Sequence, residues 1–219
     1  MDIGSRFAVR RPALAAVFWA VMASSCWASG RLDSNRPSEL ALNPPQVDRV
    51  YLPEGTGPFL LTGSIGRSLL ILGSEEDLMG VMLGLQYEVP RARLRFWRAD
   101  ARPVVEVNYQ NLTGGPNDGT PNGRLVTGGI LGLARFRSPL EGETAWVTGL
   151  GWGLQYGDRA TRDLDSRLNS TPVVELGLSM GKPTREVLLM VRFLHVSNAG
   201  LKGSNQGQNQ TYIYVAIRM

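Results

Sequence analysis

Cysteine is nearly absent from this chain: Cys26 is the only one, and it sits in an N-terminal stretch that does not read as part of the fold. A mature domain with no cysteine pair forms no disulfide, so its stability has to come from hydrogen bonding and packing. Histidine is as scarce, with His195 alone. One imidazole and no mature thiol cannot build a usual transition-metal site, and neither a metal nor another cofactor is expected. After the first thirty residues no stretch shows a long, capped helical period, which argues against helical bundles and α/β folds. No apolar run reaches the roughly 20 residues a spanning helix needs. Carboxylates run out early, because no Asp or Glu follows Glu186.

The N-terminus reads as a signal peptide. Arg6, Arg10 and Arg11 give a positive start, Ala13 to Ala23 an apolar core, and Cys26-Trp27-Ala28 approximates a small-x-small cleavage pattern with the cut after Ala28. A membrane anchor is the alternative, weakened by the short core. A lipoprotein site at Ala23-Ser24-Ser25-Cys26 lacks the usual Leu three residues before the cysteine. The net charge of +4 would suit a nucleic-acid partner, but part of it belongs to the exported leader and part to the interrupted run Arg91 to Arg102, so none is expected. Arg93, Arg95, Arg98 and Arg102 read as a basic rim beside anionic lipid headgroups, or as a solvated turn.

Residues 29–58, rich in Pro, Asn and Asp, read as a periplasmic lead-in or short plug. From Phe59 the texture becomes a series of stretches separated by Gly, Pro, Asn and Asp: Phe59 to Gly73, Leu78 to Val89, Ala101 to Thr113, Gly123 to Ser138, Thr144 to Gly157, Thr171 to Met180, Arg185 to Asn198 and Asn209 to Met219. That spacing predicts an all-β protein. The lengths fit the roughly 9 to 11 residues of a tilted strand crossing a bilayer, hence an eight-stranded antiparallel outer-membrane β-barrel over 59–219.

Alternation assigns the faces. In the second segment Met79, Val81, Leu83, Leu85, Tyr87 and Val89 share one side, opposite Gly80, Gly84, Gln86 and Glu88; in the eighth, Ile213, Val215, Ile217 and Met219 oppose Gln210, Tyr212, Tyr214 and Arg218. Apolar outside and polar inside is the membrane-barrel pattern. Glu106, Glu175, Arg192 and Arg218 are then expected to point inward as a polar network. Trp146, Trp152, Tyr87 and Tyr109 suit interfacial girdles. Gly149, Gly151, Gly153 and Gly157 resemble a dinucleotide loop, but no helix follows, and they read as small inward residues. The first and fourth segments alternate poorly, which leaves a soluble lipocalin-like barrel as an alternative.

Chemistry concentrates near the end of the seventh segment. His195 and Ser197 are two apart on a strand and so point the same way, an imidazole beside a hydroxyl it can activate. Their row also carries Val191 and Phe193, so it faces lipid, as does the row of Asn209 with Ile213 and Val215. With both termini periplasmic, the connection between these strands lies outside the cell and the pair sits at the outer leaflet. On its own, a His-x-Ser pair is an unspecific pattern that fits a headgroup contact equally well.

The run Phe193-Leu194-His195-Val196-Ser197-Asn198-Ala199-Gly200-Leu201-Lys202 with Asn205-Gln206-Gly207 resembles the signature of the lipid A 3-O-deacylase (PagL-type) family. The resemblance implies an outer-membrane barrel hydrolysing the ester at position 3 of lipid A, with lipopolysaccharide of the outer leaflet as partner. It implies Ser197 as nucleophile, His195 as base, Gly200 N–H and Asn205 as oxyanion donors, and Asn198 shaping the turn. The family's acid, a glutamate, falls at Asn209 here. An amide orients an imidazole without stabilising its cation by charge, so Asn209→Glu is expected to speed hydrolysis and Asn209→Leu to slow it. A non-catalytic barrel of the same ancestry is the second reading. A small porin ranks last, since side chains fill an eight-stranded interior.

Overall fold

The computed structural model describes residues 55–90, 92, 94–96, 99–114, 123–199 and 207–219. All of them belong to one compact unit, Val47–Met219. The signal-peptide reading (1–28) and most of the 29–58 lead-in lie outside the described residues.

Nine strands follow in order: β1 (Phe59–Leu69), β2 (Leu78–Glu88), β3 (Leu94–Phe96), β4 (Ala99–Gly114), β5 (Arg124–Pro139), β6 (Thr144–Gly157), β7 (Leu168–Met180), β8 (Val187–Val196) and β9 (Gln208–Arg218). Each barrel strand pairs antiparallel with its neighbours, β1 closes the sheet on β9, and β2 pairs directly with β4. The result is a closed eight-stranded barrel, with β3 a short extra strand on the end of β4. The expected segments survive with shifted ends. The first stops at Leu69, because Leu72 at φ 54° and Gly73 at φ 95° turn the chain out of the ladder. The sixth starts earlier, at Leu168, since the polar residues up to Ser170 still pair with β6.

Alternation is carried through the barrel. Ile65 is 67 % exposed and Val107 58 %, on an outer surface also formed by Leu61, Leu83, Ile130 and Ile213. Surface of this kind is stable only against hydrocarbon, where closure leaves no unpaired strand edge. Inside, Arg192 holds Glu106 through both terminal nitrogens at 2.6 and 2.5 Å and Glu175 through Nε at 2.8 Å, and it stacks over Tyr214. Arg135 bridges Glu175 and Glu88, each at 3.2 Å. Arg218 joins Glu88 at 2.7 Å to Glu186 at 2.5 Å. Buried charges persist because they are paired and hydrogen-bonded. Arg102 belongs here too: its expected place on a basic rim is corrected to a buried one, donating to Glu88 at 2.9 Å. Parity sends it inward, where it joins Arg135, Arg137 and Arg218 around Glu88. Gly149 makes room for the network, since a Cβ there would lie 2.7 Å from a Glu175 carboxylate oxygen.

Leu60–Arg218 pairing and the Met219 N–H to Phe59 carbonyl bond put both ends of the described barrel at one rim. The connections after β1, β4, β6 and β8 lie at the other, here the distal rim. An apolar cluster including Leu125, Leu131, Leu133, Leu164, Leu194 and Val196 fills the interior toward that rim. It is the reason the fourth segment is apolar on both faces and alternates poorly in sequence.

Candidate active site

At the distal rim β8 and β9 pair with His195 opposite Asn209 and Val196 opposite Gln208. Val196 and Gln208 are buried inward, so His195, Ser197 and Asn209 occupy the outward rows. Ser197 lies just past β8. Its N–H donates to the Ser170 carbonyl at 2.9 Å, and its carbonyl accepts the Ser170 N–H at 2.7 Å and the Ser170 hydroxyl at 3.0 Å. These bonds extend the ladder far enough to keep Ser197 on the same face as His195, about 7 Å along the strand.

Asn209 faces outward yet is fully buried. The cover is the connection after β1: Leu69 pairs with Asn209, and the Ile71 carbonyl accepts the Asn209 amide N–H at 2.7 Å. That contact decides the amide's orientation. The NH2 must face the carbonyl, so Oδ1 faces the imidazole, and His195 Nδ1 lies 2.8 Å from it. An oxygen at that distance accepts, so Nδ1 carries a proton, and of the two neutral tautomers the one with its lone pair on Nε2 fits this contact.

Gly207 closes the site from the loop side. Its φ is 78°, a left-handed conformation, and a Cβ there would lie 2.6 Å from His195 Cε1 and 3.1 Å from Nε2. Only glycine satisfies both the backbone and the ring. Two non-glycine residues among those described have positive φ, Leu72 and Ala199. Leu72 follows the carbonyl that holds Asn209, and Ala199 follows Ser197 by two. Such strain costs on the order of 1 to 3 kcal/mol and concentrates at functional sites.

Among the described residues the Ser197 hydroxyl makes no hydrogen bond, and His195 makes its one with Asn209. Asn198 is buried at the start of the turn. Gly200 and Asn205, the expected oxyanion donors, lie outside the described residues. Glu175 and Glu186, the nearest acids in sequence, are spent in the interior network. Among the carboxylates of the distal connections, Glu76 and Asp163 each hold the other's loop. Burial raises the Glu76 carboxyl above the ordinary carboxylate range, against hydrogen bonds from the Thr161 hydroxyl and Arg162 N–H that lower it. Sequence reasoning missed Ile71, whose contribution is a backbone carbonyl with no side-chain signal. It also missed the role of Gly207, a lone glycine just before the last strand.

A closed barrel with a hydrocarbon-compatible outside and a charged inside, carrying a Ser-His-Asn group on its outer wall, defines an outer-membrane β-barrel. The chain belongs to the lipid A 3-O-deacylase (PagL) family, whose profile matches residues 79–218. The crystal structure of the outer membrane enzyme PagL superposes with a TM-score of 0.59 at 18 % identity, covering 73 % of this chain and 99 % of that one, a likeness of fold. Comparison with curated proteins found no match.

Proposed function

We propose that this protein is an outer-membrane serine esterase that removes the acyl chain esterified at position 3 of lipid A. The observation carrying the reading is the imidazole itself. Asn209 Oδ1 at 2.8 Å fixes the proton on Nδ1 and leaves Nε2 as a base on the face that carries Ser197. Ser197 Oγ attacks the ester carbonyl while Nε2 takes its proton. The tetrahedral intermediate collapses with loss of the sugar oxygen, which receives that proton from the imidazolium. Water, activated by the same nitrogen, then releases the fatty acid and restores the serine. The Gly200 N–H and Asn205 amide are assigned to the oxyanion, each worth up to roughly 3 kcal/mol. Because the cluster sits on the outer wall, the lipid reaches it laterally from the outer leaflet.

The test is mass spectrometry of lipid A from membranes carrying the protein, its Ser197→Ala variant or its His195→Ala variant. Loss of one hydroxyacyl chain is expected with the parent alone, all three barrels showing heat-modifiable mobility. An amide at 209 in place of a carboxylate favours a second reading, a barrel of this family that binds lipid A without cleaving it. Unchanged lipid A in the presence of folded parent protein selects that reading, and full activity in Ser197→Ala removes the serine from the mechanism.

A further inference from the structure

Two distal connections clasp each other beside the site. Asp163, fully buried in the connection between β6 and β7, accepts the Ser74 hydroxyl at 2.8 Å, the Glu75 N–H at 2.9 Å and the Glu76 N–H at 3.0 Å, all from the connection after β1. Glu76 answers across the clasp, accepting the Thr161 hydroxyl at 2.6 Å and the Arg162 N–H at 2.8 Å, and also the Gln208 side chain at 3.1 Å. The main chain of Asp163 completes the set, its carbonyl accepting the Gly207 N–H at 3.2 Å.

Each end of this clasp terminates on His195. The segment Asp163 caps begins at Ser74, whose own N–H donates to the Ile71 carbonyl at 3.0 Å, the same carbonyl that orients the Asn209 amide. Gly207 is the residue packed against the imidazole ring. A carboxylate taking three donors from a single turn fixes that turn far more tightly than solvent does, because each bond is charge-assisted.

We propose that Asp163 is a positioning residue for the hydrolysis: through Ser74 and Ile71 it holds the Asn209 amide, through Gly207 it holds the ring plane, and so it sets the tautomer and placement of His195. This rests on His195 being the base, but its structural half is measurable without substrate. Asp163 lies in a connection between β6 and β7, outside the strand ladder, so the strand pairing that closes the barrel does not run through it.

His195 being the only histidine, 15N-histidine labelling of the full chain in detergent micelles gives a single imidazole to observe. In the parent, a protonated Nδ1 in slow exchange and an unprotonated Nε2 are expected. Asp163→Ala should bring the Nδ1 proton into fast exchange and mix the tautomers, and Ser74→Ala should do so to a smaller degree. Asp165→Asn, two residues along the same loop, should leave the spectrum at its parent form. On lipid A in detergent, Asp163→Ala should lose about ten- to a hundredfold in kcat with KM nearly unchanged, the size expected from a base displaced by about 1 Å. Should Asp163→Ala not fold, Asp163→Asn replaces it and should bring the Nδ1 proton into faster exchange than in the parent. A parent-like imidazole spectrum in the Asp163 variants overturns the proposal whatever the kinetics. A changed spectrum in a parent that cleaves nothing upholds the positioning and removes the esterase.

Discussion

Gly207→Ala separates strain from catalysis. The added methyl carbon would start 2.6 Å from Cε1 and 3.1 Å from Nε2 of His195, and 3.4 Å from the Val196 carbonyl oxygen. A carbon pair needs roughly 3.5 Å or more, so the ring must retreat by about 1 Å, the backbone of β8 being pinned by its ladder. Retreat disturbs the 2.8 Å bond to Asn209 and moves Nε2 from its place on the outer wall. A misplacement of that size costs about a hundredfold in rate. Left-handed backbone adds roughly 1 to 2 kcal/mol of lost stability. Gly142, in the turn after β5, has φ 66° and nothing within 4 Å of a built Cβ, so Gly142→Ala carries the strain without the clash. Unfolding in urea should therefore show a loss in both variants, the larger for Gly207→Ala, while kcat on lipid A falls about a hundredfold for Gly207→Ala alone. Equal kcat in both would refute the placement of the imidazole against Gly207.

Asn209→Glu is expected to slow hydrolysis, reversing the expectation from sequence: an added methylene in a site with no exposed surface costs roughly 1 to 3 kcal/mol, and a carboxylate oxygen replaces the N–H that the Ile71 carbonyl accepts at 2.7 Å. A faster variant, measured on lipid A in detergent, would show the amide to be dispensable. Arg192→Met leaves Glu106 without its cation and Glu175 with Arg135 alone, and urea unfolding in detergent should register a loss of about 3 to 5 kcal/mol. An unchanged midpoint would mean the interior is wetter than the network implies.

Much of the barrel is legible in sequence because two solvents act on it. Hydrocarbon outside and bound charge inside impose alternation on β2, β8 and β9, where Leu83, Val191 and Ile213 face out while Gln86, Arg192 and Tyr212 face in. The signal fails where the inside is itself apolar, as at Leu125, Leu131 and Leu133 on β5, and where an apolar run leaves the ladder, as at Leu70, Ile71 and Leu72. Arg102 misled as one of a basic run although its parity pointed inward to Glu88. In the site, parity places His195, Ser197 and Asn209 on one wall. What sequence does not carry is the burial of Asn209 and the orientation of its amide. Both come from a backbone carbonyl brought over by a loop that Asp163 holds, a contact spanning Ile71 and Asn209 with no residue type to mark it.

That carbonyl also answers how an amide can stand where a carboxylate is usual. When the acid of a serine-hydrolase triad is exchanged for an amide, the loss is about ten-thousandfold, largely because the NH2 turns to the histidine and imposes the wrong tautomer. In this chain the NH2 is already engaged by Ile71, so only the oxygen is left for Nδ1. The orienting half of the acid's work is therefore intact, and what is missing is its charge. On the proposed mechanism the missing charge bears on the imidazolium alone, which exists during transfer from Ser197 and to the leaving oxygen. On that mechanism orientation falls to the Ile71–Asn209 pair, which makes the loop that carries Ile71 as much a part of the site as the segment that carries Ser197.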